Sequence, residues 1–219
     1  MFAQVKRFAR SWSVAAAGMA AVLLVGGTPA AHAVTPRQDD LPPVGAEIPM
    51  SILALNTPVQ IRSSLVTVDF RGGIKVRVDV NPDDPVNSRR LRIVGFKVSG
   101  ELPGGDRGGF RRSGGTITLE QDDVDVDAPS LLRRTQQFPP RYEQIMVLSF
   151  TMTVDQPDAR REPLVLVTKN PAQLVGRLTQ FPPRGDLYQL QNPVDLVLPD
   201  EPDTTTATIQ KFPAKLGAL

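Results

Sequence analysis

From Ile74 the chain alternates strictly: Ile74, Val76, Val78 and Val80 are apolar, with Lys75, Arg77 and Asp79 between them. A period of two predicts a half-buried β-strand. The same alternation runs from Glu143 to Asp155, where Met146, Leu148, Phe150, Met152 and Val154 share one face. Ile145 and Val147 occupy the other face, so this strand is expected to be covered on both sides. Val59 to Phe70 is β-prone, with Leu65, Val66, Val68 and Phe70 as core candidates. Leu91, Ile93, Phe96 and Val98 form a further strand, in which Gly95 shifts the phase as a bulge would. Thr116–Glu120, Leu164–Val167, Leu187–Leu198 (interrupted at Pro193) and Thr204–Ile209 complete the set.

Breakers separate these runs. Arg71-Gly72-Gly73 reads as a turn, Asn81 to Pro85 as a proline-bounded break, and Gly100 to Gly115 as a long glycine-rich hairpin loop. About seven to nine short strands with no long helical period predict an all-β fold. An antiparallel β-sandwich is the expected form, with a β-barrel as the alternative and helix kept to a minimum.

One stretch occurs twice. Residues 131–141 read LLRRTQQFPPR and residues 174–184 read LVGRLTQFPPR, with seven of eleven columns identical and an acid two positions on, Glu143 and Asp186. Asn170-Pro171 offers a helix start, and Asp127 with Pro129 offers one in the first copy. Each copy is therefore expected to be a short helical turn, an extended Phe-Pro-Pro segment and a strand. Phe138 and Phe181 are expected to anchor in the core. Arg141 and Arg184 are left as the candidate partner surface, or as local pairs with Glu143 and Asp186.

The ends set the expected compartment. Lys6, Arg7 and Arg10 precede an apolar run from Val14 to Val25, and Ala31-His32-Ala33 has the form of a cleavage site. Residues 1–33 therefore read as a secretory signal peptide and the protein as secreted. The apolar run is shorter than the ~20 residues that span a bilayer, so no membrane span is expected. Residues 34–57 read as an extended lead-in and 58–212 as one β domain containing the repeat (131–143 and 174–186). Residues 213–219 read as a tail. Of the 25 Lys and Arg, three lie in the first 33 residues, leaving 22 against 23 Asp and Glu, a net charge of −1. A basic field that would attract nucleic acid is absent from that mature chain.

The candidate chemistry is sparse. The chain has no cysteine, and its one histidine, His32, falls in the signal. A mature chain without either cannot build Ser-His-Asp or Cys-His machinery or the usual zinc sites. No catalytic residue and no cofactor are assigned. The expected role is a non-enzymatic extracellular binding or structural protein whose partner is an unidentified extracellular or cell-wall ligand. Two alternatives stay open: a carboxylate-dependent polysaccharide hydrolase, which needs a spaced acid pair, and a barrel carrying an apolar ligand. Asp123, Asp125 and Asp127 would share one strand face and form a candidate Ca²⁺ site. The EF-hand template fails, with Ala128 where glycine is required and Arg134 where a bidentate acid is required. A solvated strand edge is the competing reading of these acids. It predicts a melting temperature unchanged between excess Ca²⁺ and chelator; a Ca²⁺-dependent rise identifies the acids as ligands.

Overall fold

Alternation becomes strand almost wherever the sequence carries it. The computed structural model describes residues 41–104, 106–107, 110–111, 114–122, 129–156 and 162–219. The described chain is all β, antiparallel and without helix. Its strands are β1 (Glu47–Ile61), β2 (Ser64–Val80), β3 (Ser88–Glu101), β4 (Asp106–Arg107), β5 (Phe110–Arg111), β6 (Thr116–Gln121), β7 (Ser130–Gln136), β8 (Arg141–Leu148), β9 (Phe150–Asp155), β10 (Leu164–Thr168), β11 (Ala172–Leu178), β12 (Arg184–Leu190), β13 (Val194–Leu198), β14 (Glu201–Ile209) and β15 (Ala214–Ala218). β4 and β5 pair as a small hairpin inside the glycine-rich loop, and the other thirteen form one sheet.

Proline explains where the strands stop. Pro129, Pro171, Pro193 and Pro213 each stand immediately before a strand: β7, β11, β13 and β15. Proline has no N–H to give to a ladder and is confined to strand starts, edges and bulges. Only Ser149 separates β8 from β9. The divided strands lie against the two halves of their neighbours. β1 pairs with β15 through Met50–Ala54 and with β14 through Val59–Ile61. β3 pairs with β7 through Ser88–Leu91 and with β6 through Lys97–Glu101.

Followed this way, the sheet runs along eight paths: β1, β2, β3, then β6 with β7, β9 with β8, β10 with β11, β13 with β12, and β14 with β15. Every path is antiparallel to the next, and the last returns to β1. The hydrogen-bonded circuit is closed.

Inward positions carry the core. Met50, Ile52 and Ala54 on β1, Ile74, Val76 and Val78 on β2, and Met146, Leu148, Phe150, Met152 and Val154 along β8 and β9 are buried in one continuous cluster. The row on β8 and β9 keeps its phase across Ser149, as the alternation predicted. Val147, on the opposite face, is also buried. Gly95 coincides with a register shift between β2 and β3, the bulge that its phase change indicated.

Several expectations are corrected. Thirteen strands in one sheet replace seven to nine, and β1, β2 and β3 are long rather than short, at 15, 17 and 14 residues. Arg71-Gly72-Gly73 is no turn but lies inside β2, where Gly72 pairs with Ile52 and Val98. Glycine is there for close approach: a Cβ at residue 72 would lie 2.1 Å from the Lys97 carbonyl oxygen. β1 begins inside the expected lead-in, and β15 occupies the expected tail. The Asn170-Pro171 signal starts a strand rather than a helix, because Ala172, Leu174, Gly176 and Leu178 alternate inward with period two. Asp127 lies outside the described residues.

The two Gln-Phe-Pro-Pro-Arg segments are hairpin turns, β7–β8 and β11–β12, each with a cis Phe–Pro peptide. Their phenylalanines part company. Phe138 is 90% exposed and Phe181 is 7% exposed, so Phe138 is not the core anchor expected. The first hairpin pairs down to Gln136 and Arg141, closing a tight turn that holds Phe138 outside. The second pairs only to Gly176 and Tyr188, and its longer open end folds Phe181 back onto the core. Phe181→Ala is expected to cost about 3–5 kcal/mol in urea unfolding. Phe138→Ala is expected to stay within about 0.5 kcal/mol, and equal losses at both positions would contradict this asymmetry.

Candidate functional site

The inward faces of both halves meet around a small space of about 10 Å³, bordered by Phe96, Phe150, Ala172, Leu174, Leu190 and Phe212 among other apolar side chains. That volume is room for about one water molecule. Among the described residues no polar side chain borders it. Aromatic contacts fix its walls: the rings of Phe96 and Phe150 lie 6.1 Å apart, and those of Phe70 and Phe212 lie 5.9 Å apart.

One inward step away, the character changes. Gln144 on β8, Gly176 on β11 and Tyr188 on β12 stand in register across three neighbouring strands. The Tyr188 ring covers Gly176, where an added Cβ would lie 2.5 Å from the ring. Its hydroxyl reaches across β11 and donates to Oε1 of Gln144. Tyr188 and Gln144 are both fully buried. The Gln144 Nε2 group has no hydrogen-bond partner, which leaves donors unmet in an apolar interior. Burial pushes the Tyr188 phenol above its ordinary value, and the Asp186 carboxylate adds to the shift. At neutral pH the hydroxyl is a fixed donor.

A second concavity lies where two paths break side by side. Asn170-Pro171 and Asn192-Pro193 flank a cleft of about 370 Å³ that also takes in Val147, Gln173 and Asp195. Asp195 accepts a hydrogen bond from Thr208 at 2.9 Å. This cleft presents one carboxylate, where the hydrolase alternative needs two.

The sequence-derived candidates fall elsewhere. Arg141 and Arg184 are exposed at one end of the sheet, on β8 and β12, with β11 between them. Neither forms the expected local pair: Glu143 binds Arg133 at 2.8 Å, and Asp186 accepts the Arg184 backbone N–H at 3.0 Å. Asp123, Asp125 and Asp127 lie outside the described residues. Among the described residues no group of three His, Cys, Asp or Glu side chains could hold a metal ion. No helix among them is long and apolar enough to cross a membrane.

Gln144, Gly176 and Tyr188 escape the sequence reading, although two signals mark them. Gln144 sits in phase with Met146 and Leu148, a polar residue on an apolar row. Gly176 interrupts a strand pattern, which often marks a close approach by another group.

The fold defines a class: all-β proteins built on one large antiparallel sheet around a mainly apolar core. No family model matches the chain, and no curated protein sequence does. Among solved structures the chain is similar to DynF from the dynemicin biosynthesis pathway of Micromonospora chersina. The TM-score is 0.58 and the identity 16%, over 80% of this chain and 82% of that one. At that identity the likeness is one of fold.

Gly176→Ala is expected to cost about 1–3 kcal/mol by overpacking against Tyr188. Tyr188→Leu should relieve part of that cost when the two are combined. The Tyr188 phenol also makes stability depend on alkaline pH. Its folded pKa is raised, so the folded chain keeps a proton that the unfolded chain releases. The resulting stability is complete below about pH 10 and falls as pH rises further. Between pH 9 and 11 the native chain should lose about 1.4 kcal/mol more than Tyr188→Phe. Equal pH profiles from denaturant melts would refute this.

Proposed function

We propose that the protein is an exported, non-enzymatic binding protein. Its closed circuit is an eight-path β-barrel whose interior accepts a small apolar molecule. The observation that carries this reading is a continuous hydrogen-bonded circuit around a space that, among the described residues, apolar side chains alone border. Barrels of about eight strands are just wide enough to be filled by side chains or to hold one small ligand. At about 10 Å³ the space is nearly filled, so a ligand enters by displacing side chains. Met50, Met146 and Met152, all fully buried in this core, are suited to that, because methionine is unbranched and repacks readily. Export rests on the pattern of residues 1–33. Arg141 and Arg184 are then surface available to a cell-wall or other extracellular partner.

Titration with cumene, followed by amide chemical shifts and thermal melts, tests the reading. Shifts should concentrate on β8, β11 and β13, and binding at a hundred times Kd should stabilise the fold by about 2.7 kcal/mol. Ala172→Phe, which fills the space, should abolish both effects while strand content persists. No shift and no stabilisation at saturating cumene would sink the proposal.

A further inference from the structure

Among the described residues, the Gln144 amide on the inward row of β8 is a polar group whose hydrogen bonding is incomplete. Gln144 is fully buried, its Oε1 is occupied by the Tyr188 hydroxyl, and its Nε2 has no partner. The amide is also held in place. Tyr188 grips its oxygen, and the Tyr188 ring is itself seated on Gly176, where no side chain competes for the space. A buried amide that keeps unmet N–H donors loses the water it bonded in the unfolded chain and receives nothing in return.

Its position relative to the apolar space is specific. Leu174 and Leu190 border that space. Leu174 pairs with Met146 and with Leu190, while Gly176, two residues further along β11, pairs with Gln144 and Tyr188. The Gln144 layer therefore lies one inward step, roughly 7 Å, beyond the layer bordering the space. On β8, Met146 stands between Gln144 and Leu148, which borders the space, and it is an adaptable side chain.

We propose that Gln144 is a specificity-determining residue of this interior, donating from Nε2 to a neutral acceptor oxygen on an otherwise apolar ligand. This rests on the interior-binding reading. The class of oxygen follows from the groups around it. A carboxylate would bring an unpaired charge into an apolar layer, at high cost. A hydroxyl would bring a further donor that also needs a partner. A ketone, aldehyde or ester carbonyl accepts without either penalty. A ligand of this class displaces Met146 and places its carbonyl oxygen against Nε2, while the Tyr188 hydroxyl holds the amide in orientation.

The test uses two probes of nearly equal shape: acetophenone, and α-methylstyrene, in which a methylene replaces the carbonyl oxygen. Affinities are measured by amide-shift titration on the native chain and on Gln144→Leu/Tyr188→Phe, which removes both polar groups together. The ratio of the two affinities should favour acetophenone about tenfold more in the native chain than in the variant. Taking the ratio within each protein cancels the different water solubilities of the probes. If both probes bind and the ratio is the same in both proteins, the role of Gln144 is overturned while interior binding stands. If neither probe binds, the interior reading fails and this inference fails with it. Should the variant not fold, the carbonyl stretch of acetophenone bound to the native chain decides. A hydrogen-bonded frequency supports the proposal, and the frequency found in hexane overturns it.

Discussion

Backbone hydrogen bonding that leaves neither terminal strand of the thirteen-stranded sheet unpartnered is the constraint on which the rest of this structure depends. The linear strand order begins at β14 and ends at β7, and both find partners elsewhere, on β1 and β3. Long strands make this possible, because β1 and β3 each serve two shorter neighbours along their length. An unpaired edge would expose a row of N–H and C=O groups to other chains. Closing the circuit pairs them within the sheet, whose buried side chains form one continuous core.

Closure also governs where proline and glycine can stand. Four prolines sit at the junctions of divided strands, where a missing donor costs no ladder bond. Gly72 sits where β2 crosses close to the β3 backbone, and Gly176 where a ring must lie flat on β11. These residues do not weaken the sheet; they let it bend and pack. The end of the sheet carrying the β2–β3 loop shows the same economy in side chains. There the Arg89 guanidinium donates to the carbonyl oxygens of Pro42, Pro85 and Ser88, tying the incoming chain to that loop.

Period-two alternation made the strands of the middle of the chain legible, including the unbroken inward row from Met146 to Val154 and the bulge at Gly95. Legibility failed where a local signal has two structural meanings. Gly72-Gly73 has the composition of a turn, yet a pair of glycines is also what a close strand crossing requires. Asn170-Pro171 opens a helix as readily as it ends a strand, and only the inward phase of Ala172, Leu174 and Leu178 decides between them. The duplicated Gln-Phe-Pro-Pro-Arg segments show the limit most clearly. Near-identical residues form two hairpin turns, but the pairing register on either side differs, and so Phe138 is exposed while Phe181 is buried. Register is set by the partners β7 and β12 find across the sheet, on β3 and β15, which no local pattern encodes.

The polar layer at Gln144 and Tyr188 belongs to that same category of non-local fact. A glutamine in an apolar row looks like a lapse in patterning until β12 supplies a hydroxyl two strands away and β11 supplies a glycine for the ring to cross. An apolar residue at position 144 would satisfy the row and leave Tyr188 without an acceptor. An apolar residue at position 188 would leave the whole amide unpaired. The pair is therefore self-supporting as a unit, and it stands in a core that would be simpler to pack without it. Retaining it fixes a directional group inside a core that is otherwise mainly apolar. Direction of this kind fixes one packing of β8, β11 and β12 against one another, and under the proposed binding reading the same group gives the interior a means to discriminate among apolar guests.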